Sequence, residues 1–254
     1  MHLRRHILFM LAGILALGVT LAPVSSADLN RGDIHLTNGL IYYALGFHDL
    51  AVKELRQAAA LDPGNSEVRV ALGMAYQVKG DLQAALAVYR EALEMDDSAL
   101  YVHGLMGDIY RVRGDKEKAR AHYLAAMEDP ELVALPAYGL GVLAEEEGDW
   151  DAAVERYRQV LEAAPDHADS AVRLAALLRR SGAAAEALEV VENAQRYNPR
   201  VAELHYLGGL LYRELERYDE AKHAFDRALH LDQNHDGARR ALDDLENLLN
   251  QRPQ

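Results

Sequence analysis

Cysteine is absent from the 254 residues of the chain. Its absence excludes a disulfide framework, a thiolate metal site, a cysteine nucleophile and a lipid-modified N-terminal cysteine. Basic residues are also scarce, because 27 Lys and Arg stand against 40 Asp and Glu and leave a net charge of -13. No basic run offsets this charge beyond the extreme N-terminus, so we expect no nucleic acid partner.

Motifs for catalysis and for nucleotide binding are missing as well. The sequence has no His-Glu zinc motif, no glycine loop that would cradle a phosphate and no serine nucleophile elbow. We therefore predict no catalytic residue, no metal, no cofactor and no small-molecule substrate. The chain is not expected to be an enzyme.

Residues 1–27 have the order of a secretory signal peptide. Two arginines precede an uncharged apolar run over residues 7–22, and Pro23 and small residues follow. The sequence predicts cleavage after Ala27, a short lead-in over residues 28–31, and a periplasmic or secreted mature chain. The alternative is an uncleaved anchor, which would bring the chain into contact with a membrane. An apolar run of 16 residues is short for a membrane span.

Small and large residues return every 34 positions along most of the chain. One ladder of small residues is Gly39, Gly73, Gly107, Gly141, Ala175 and Gly209. A second is Ala51, Ala85, Ala119, Ala153, Ala187 and Ala221. A third, broken by Glu216 in the last repeat, is Gly46, Gly80, Gly114, Gly148 and Gly182. Large residues fall between them: Leu55, Tyr89, Tyr123, Tyr157, Val191 and Phe225. Small residues facing large ones at fixed offsets predict helix pairs that interlock, with a glycine turn inside each pair.

The repeated pattern, L-G-x-x-Y, then G-D, then A, an aromatic residue, A and P, resembles the tetratricopeptide repeat in period and in sequence. The resemblance covers residues 32–235 as six repeats: 32–65, 66–99, 100–133, 134–167, 168–201 and 202–235. It implies an all-α fold, a right-handed α-solenoid of six helix-turn-helix repeats in one continuous array. Residues 236–250 then predict a C-terminal capping helix with Asp236 as its N-cap.

The same resemblance implies that the first helices line a concave face, with positions 2, 5, 9, 12 and 13 of each repeat pointing into it. In the first four repeats these positions include apolar and aromatic residues: Leu36, Leu40, Tyr43, Val70, Met74, Tyr101, Leu135, Tyr138 and Val142. One hypothesis is that this groove holds an apolar or amphipathic segment of a partner protein. The alternative is that these side chains belong to the core.

Position 12 also carries a basic row, Arg111, Arg179 and Arg213. Such a row would pair with carboxylates of a partner. In the alternative, neighbouring glutamates neutralise it as a solvated charge ladder that is worth little. The Lys and Asn clamp by which some repeat proteins hold a C-terminal carboxylate of chaperones is missing, because its positions in the first repeat are Leu36 and Leu40.

Three histidines, His35, His103 and His205, occupy position 4 of their repeats, where the family usually has a large aromatic residue. They are far apart along the chain, and no acidic or histidine partner recurs at ligand spacing. We therefore interpret them as packed side chains and assign no metal site.

These observations predict an exported repeat scaffold that binds other proteins or peptide segments. Its role would be that of an assembly factor in a bacterial cell envelope. The alternative function is a membrane-tethered structural subunit of an envelope complex, which requires an uncleaved N-terminus.

Overall fold

The computed structural model describes residues 31–251, and the regular structure in this range is helical. The predicted signal peptide, its cleavage site after Ala27 and most of the lead-in lie outside the described residues. The chain divides into two compact units with a boundary between Glu128 and Asp129. Each unit is described by itself.

Unit 1 contains three helix pairs, in the order first helix, turn, second helix. Its helices are α1 (Arg31–Ala44), α2 (His48–Leu61), α3 (Ser66–Lys79), α4 (Leu82–Met95), α5 (Tyr101–Val112) and α6 (Lys116–Ala126). Each first helix packs on its own second helix, and α3 and α5 also pack on the second helix that precedes them. This nearest-neighbour packing is the arrangement of a repeat solenoid.

Unit 2 begins with a 3-10 turn, Pro130–Leu132, which the Asp129 side chain caps through the Glu131 amide. Its helices are α7 (Ala134–Glu147), α8 (Trp150–Ala163), α9 (Ala168–Arg180), α10 (Ala184–Tyr197), α11 (Ala202–Glu214), α12 (Tyr218–Leu231) and α13 (Asp236–Asn250). They pack as three pairs followed by α13, which lies on α12 and α11. Taken with unit 1, the predicted all-α fold of consecutive helix pairs is confirmed.

The ladder of small residues explains how the two helices of a pair approach each other. A Cβ atom on Gly73 would lie 2.4 Å from Cε1 of Tyr89, and the same clash recurs between Gly107 and Tyr123, Gly141 and Tyr157, Gly209 and Phe225, and Gly39 and Leu55. The second helix places its large side chain 16 residues after the glycine in the space that the missing Cβ leaves. Ala175 breaks the glycine ladder where the facing residue is the smaller Val191, and both are fully buried.

Glycines in the turns take a backbone conformation that other residues avoid. The glycines from Gly46 to Gly182 in the third ladder have φ between +76° and +89°. Glu216 stands at the equivalent place of the last repeat and adopts φ +59°. The left-handed conformation costs a residue with a Cβ roughly 1–2 kcal/mol, so the turn is imposed on Glu216 by the packing of α11 on α12.

The last helix corrects one prediction. Asp236 was expected to cap α13, but it is the first residue of the helix, and the preceding His235 is the N-cap. Its Nδ1 atom accepts a hydrogen bond from the Ala238 amide at 3.1 Å. Ala238 and Leu245 are buried, whereas charged residues occupy the opposite side of the helix. No helix between residues 31 and 251 combines the length and the apolar character needed to cross a bilayer.

Candidate functional site

The predicted groove residues of unit 1 come from three successive first helices. Leu36, Leu40 and Tyr43 lie on α1, Val70 and Met74 on α3, and Tyr101 and Arg111 on α5. All are half-buried except Val70, which is 5% exposed and belongs to the interior. Those of α1 pack against the buried cluster around Leu55 and Leu72. Val70 therefore packs in the interior, whereas the half-buried side chains keep part of their surface accessible.

Two fully buried tyrosines of the second helices form hydrogen bonds with the first helices that carry the predicted groove residues. The Tyr89 ring lies under Gly73, and its hydroxyl donates to Oε1 of Gln77 at 2.9 Å. Sequence reasoning assigned such residues to helix packing alone, because they face the small ladder. The polar end of Tyr89 thus meets position 12 of a first helix, one of the positions that the family resemblance places in the groove.

Tyr123 repeats the arrangement one hairpin later, with a carboxylate as its acceptor. Its hydroxyl donates to Oδ1 of Asp108 at 2.7 Å and accepts from Nε of Arg111 at 3.4 Å. Asp108 occupies position 9, one of the positions that the family resemblance places in the groove, and it was not selected because it is neither apolar nor aromatic. Its partner Tyr123 is fully buried, whereas Asp108 itself is half-buried.

Ionisation in this region reflects burial first and neighbouring groups second. Burial raises the pKa of Tyr89 well above its ordinary value, and Tyr43, Asp108 and Tyr101 raise it further. Burial also raises the pKa of the Asp108 carboxyl, although the hydrogen bond from Tyr123 and the charge of Arg111 act in the opposite direction. The groove of unit 1 thus joins apolar side chains to tyrosine hydroxyls and one carboxylate.

Unit 2 holds the remaining predicted groove residues. Tyr138 is half-buried on α7, with its ring 6.0 Å from that of Tyr157 and 5.0 Å from that of His167. Val142, on the same helix, is only 9% exposed. The Tyr138 side chain therefore stands within an aromatic cluster, and Val142 offers little surface to a partner.

One residue of the basic row forms an ion pair, and another contacts a tyrosine hydroxyl. Nε of Arg179 donates to Oε1 of Glu214 at 2.6 Å, and the nearby Arg173 pairs with Glu145. Arg111 is engaged with the Tyr123 hydroxyl in unit 1, and Arg213 is half-buried on α11. Neutralisation by a neighbouring carboxylate is thus seen at Arg179. Another arginine of unit 2, Arg180, stacks its guanidinium 3.5 Å from the ring centre of Trp150, which is 44% exposed.

The histidines at position 4 have partners that the sequence analysis missed. Nδ1 of His35 lies 2.7 Å from Oε2 of Glu54, and Nδ1 of His103 lies 2.9 Å from Nδ1 of His122. Each partner is 19 residues after its histidine. The helix pair therefore brings position 4, on the first helix, next to position 23, on the second helix of the same repeat. That recurring offset was the signal available in the sequence. Within residues 31–251, no group of three or more acidic or histidine side chains could hold a metal ion.

The His103 and His122 pair joins the two helices of the third hairpin. The Tyr110 ring stacks on His122 with ring centres 5.1 Å apart and planes inclined by 11°. Arg90 donates to the Tyr110 hydroxyl at 2.9 Å, and the Lys118 ammonium lies 5.4 Å from the centre of the Tyr110 ring. Burial, and after it the charges of His103 and Arg90, lower the pKa of His122, which disfavours a second proton on the pair.

Comparison with known families identifies the repeat in both units. Models of the tetratricopeptide repeat match residues 36–99, 70–133, 144–211 and 202–235. No curated protein matches the chain.

Solved structures resemble the chain along most of its length. PilF of Pseudomonas aeruginosa is 21% identical, with a TM-score of 0.71 over 84% of this chain and 97% of that one. PilW, described as a widely conserved type IV pilus biogenesis factor, is 16% identical, with a TM-score of 0.67 over 84% and 99%. YrrB, described as a TPR protein with an unusual peptide-binding site, is 21% identical, with a TM-score of 0.58 over 74% and 97%. At these identities the likeness shows a shared fold.

Proposed function

The chain belongs to the tetratricopeptide repeat family, and from that premise we propose that it is a non-catalytic scaffold of the bacterial cell envelope that holds a partner segment in the groove of unit 1. The single observation that carries the proposal is the set of half-buried apolar and aromatic side chains on three successive first helices. Such side chains keep apolar surface that is accessible and not buried in the core. Residues that bind a peptide in a groove need such surface.

Leu40 and Met74 are the central anchors of the proposed site. Both are half-buried, and they occupy position 9 of neighbouring repeats on α1 and α3. A flexible thioether beside a leucine adapts to differently shaped apolar side chains of a partner. A charge introduced at either position would have to be buried beneath the bound segment, at a cost that no apolar partner offsets.

Export and a role in assembly are the finer part of the proposal. The order of residues 1–27 supports export, and the likeness to PilW and PilF supports a role in building an envelope structure. The alternative is a membrane-tethered structural subunit that keeps its N-terminus. Mass spectrometry of the exported protein separates the two, because a chain starting at Asp28 has lost the anchor and a chain starting at Met1 has kept it.

Crosslinked pull-down from the envelope fraction tests the groove itself. The double variant Leu40→Asp with Met74→Asp is compared with wild type and with a matched control, Leu61→Asp with Met95→Asp. The control places the same changes at exposed ends of the second helices of the same two repeats. Loss of a partner in the groove variant alone supports the proposal. Equal capture by all three proteins refutes it.

A further inference from the structure

Two isoleucines of the first repeat are exposed at positions that every later repeat buries. Ile34, at position 3, is 42% exposed, and Ile41, at position 10, is 40% exposed. Both lie on α1. In repeats two to six the residues at positions 3 and 10 are buried: Val68, Ala75, Val102, Ile109, Pro136, Leu143, Ser170, Leu177, Leu204 and Leu211. The first repeat thus leaves uncovered an apolar face that belongs to the repeat interface elsewhere.

The second helix of the preceding repeat covers this face in the sixth repeat. Leu204, at position 3, packs with Ala194 of α10 in one buried cluster. A Cβ atom on Gly208, at position 7, would lie 3.4 Å from Cγ1 of Val191 on the same helix. Within the described residues no helix precedes α1. The face of the first repeat therefore has the position of a helix-packing surface but lacks the helix.

The exposed apolar residues of α1 form one stripe, Ile34, Ile41 and Leu45. Their spacing of seven and then four residues places them on one side of a helix with 3.6 residues per turn. Leu45 is 63% exposed, and its amide still donates to the Ile41 carbonyl at 3.0 Å. Asn38, which is exposed, lies on the same side between the two isoleucines. The groove residues Leu36, Leu40 and Tyr43 fall on the opposite side of α1, so the stripe is a separate surface.

We propose that a second copy of this chain covers the stripe, with the two α1 helices packed antiparallel about a two-fold axis. This pairing sets Ile34 of one copy against Leu45 of the other, and Asn38 against Ile41. The stripe is therefore complementary to itself, as a two-fold interface requires. One polar residue near the centre of an apolar helix interface fixes its register.

The length of chain before α1 favours a second copy over a covering helix from the same molecule. The shortest second helix, α6, has 11 residues, and a linker must join such a helix to α1. Cleavage after Ala27, which is part of the proposed function, leaves only residues 28–30 before Arg31. The inference rests on that cleavage, because three residues cannot supply both a helix and a linker.

Charge at the ends of α1 suits the antiparallel pairing. Arg31 begins the helix on the same side as the stripe, whereas Asp33 is turned about 100° away from Ile34. A cation at the N-terminus of a helix is poorly placed with respect to the helix dipole, and the last turn of α1 contains no basic residue. In the pair, Arg31 of each copy lies beside the C-terminus of the other α1, where a cation is stabilising.

The last helix disfavours a head-to-tail assembly. The exposed side of α13 carries the charged residues Arg239, Arg240, Asp243, Asp244 and Glu246. An apolar stripe placed on this surface would bury charges without partners. Pairing of two α1 helices instead closes the assembly at two chains, and the dimer presents two grooves to a partner.

Sedimentation velocity of the exported protein tests the dimer over about 1–100 µM, the range in which weak interfaces dissociate. We expect the wild type to sediment as two chains at the upper end of this range. Ile41→Asp should sediment as one chain throughout, because pairing would bury two carboxylates together. The matched control Val112→Asp introduces the same charge at an apolar residue of unit 1 that is 68% exposed and lies outside the stripe. It should dimerise like the wild type.

A single cysteine locates the interface, because the chain has no cysteine of its own. Asn38→Cys keeps all three apolar residues of the stripe and places the only thiol beside the two-fold axis. Under mild oxidation we expect a disulfide-linked dimer, since the two thiols face each other at short range. Val112→Cys is the matched control and should not be linked.

The outcomes separate this interface from its alternatives and from the groove. A wild type that sediments as one chain at every concentration, or a dimer that persists in Ile41→Asp, overturns the proposal. Longer assemblies, or no disulfide in Asn38→Cys, overturn the antiparallel closed pair. A monomer that mass spectrometry shows to begin at Met1 refutes the cleavage as well, whereas a monomer that begins at Asp28 refutes the dimer alone. Partner capture through Leu40 and Met74 should be unchanged in monomeric Ile41→Asp, so the groove is tested independently.

Discussion

Replacing Gly73 by alanine tests the close helix contact on which every repeat depends. The new Cβ would lie 2.4 Å from Cε1 and 2.6 Å from Cδ1 of Tyr89, a fully buried ring whose hydroxyl is held by Gln77. Overpacking of this kind costs about 1–3 kcal/mol, and alanine recovers roughly 0.5–1 kcal/mol of helix propensity. We expect the free energy of unfolding, measured by urea denaturation with far-UV circular dichroism, to fall by about 1–2 kcal/mol.

The fifth repeat provides the control, since Ala175 faces Val191 there without exposure of either side chain. In a Tyr89→Val background the clash is absent, so Gly73→Ala should become stabilising by about 0.5–1 kcal/mol. A double-mutant cycle measures this reversal directly. If Gly73→Ala changes stability by the same amount and sign in both backgrounds, the argument that the glycine exists to admit the tyrosine ring is wrong.

Three further predictions concern the backbone and the titrating groups. Glu216→Gly should raise the free energy of unfolding by about 0.5–1 kcal/mol, because glycine removes the backbone strain at φ +59°. Gly182→Ala, at φ +86°, should lower the free energy of unfolding. Urea denaturation measures both changes. Burial lowers the pKa of His103, and burial together with the charges of His103 and Arg90 lowers the pKa of His122. The melting temperature should therefore be highest above pH 6.5, the ordinary pKa of histidine, and should fall as the pH drops below it. His122→Gln should flatten this decline. Burial raises the pKa of Asp108, so the charged carboxylate destabilises the fold at neutral pH and Asp108→Asn should raise the melting temperature there. The variant should lose this advantage below pH 3.8, the ordinary pKa of the carboxyl. Equal dependence of the melting temperature on pH in variant and wild type would contradict this prediction.

The parts of the fold that were predictable are those fixed by backbone geometry. A glycine that faces a tyrosine 16 residues later fixes how the two helices of a repeat pack on each other. The repeat period and the residue sizes together therefore predict the helix pair. Likewise, φ values of +76° or more at the turn glycines follow from their recurrence after every first helix but the last. Alanine replaces glycine at position 175 because the residue that faces it, Val191, is smaller than the tyrosines of other repeats. This compensation is present in the sequence, but it becomes visible only when each small residue is matched with the large residue 16 positions later.

The polar parts of the site were less predictable, because side-chain partners depend on register across the hairpin. The Tyr123 hydroxyl and Asp108 are 15 residues apart, and His103 and His122 are 19 apart. Neither spacing marks a contact until the two helices are aligned.

Trp150 is the single tryptophan of the chain, and it lies in unit 2 against the Arg180 guanidinium. Indole fluorescence therefore originates from one unit only, at a partly exposed position whose emission responds when α8 and α9 separate. Circular dichroism sums over both units, whereas this emission follows the second. The molecule thus carries a natural optical reporter of unit 2, whose denaturation can be compared with the summed circular dichroism signal in a single sample.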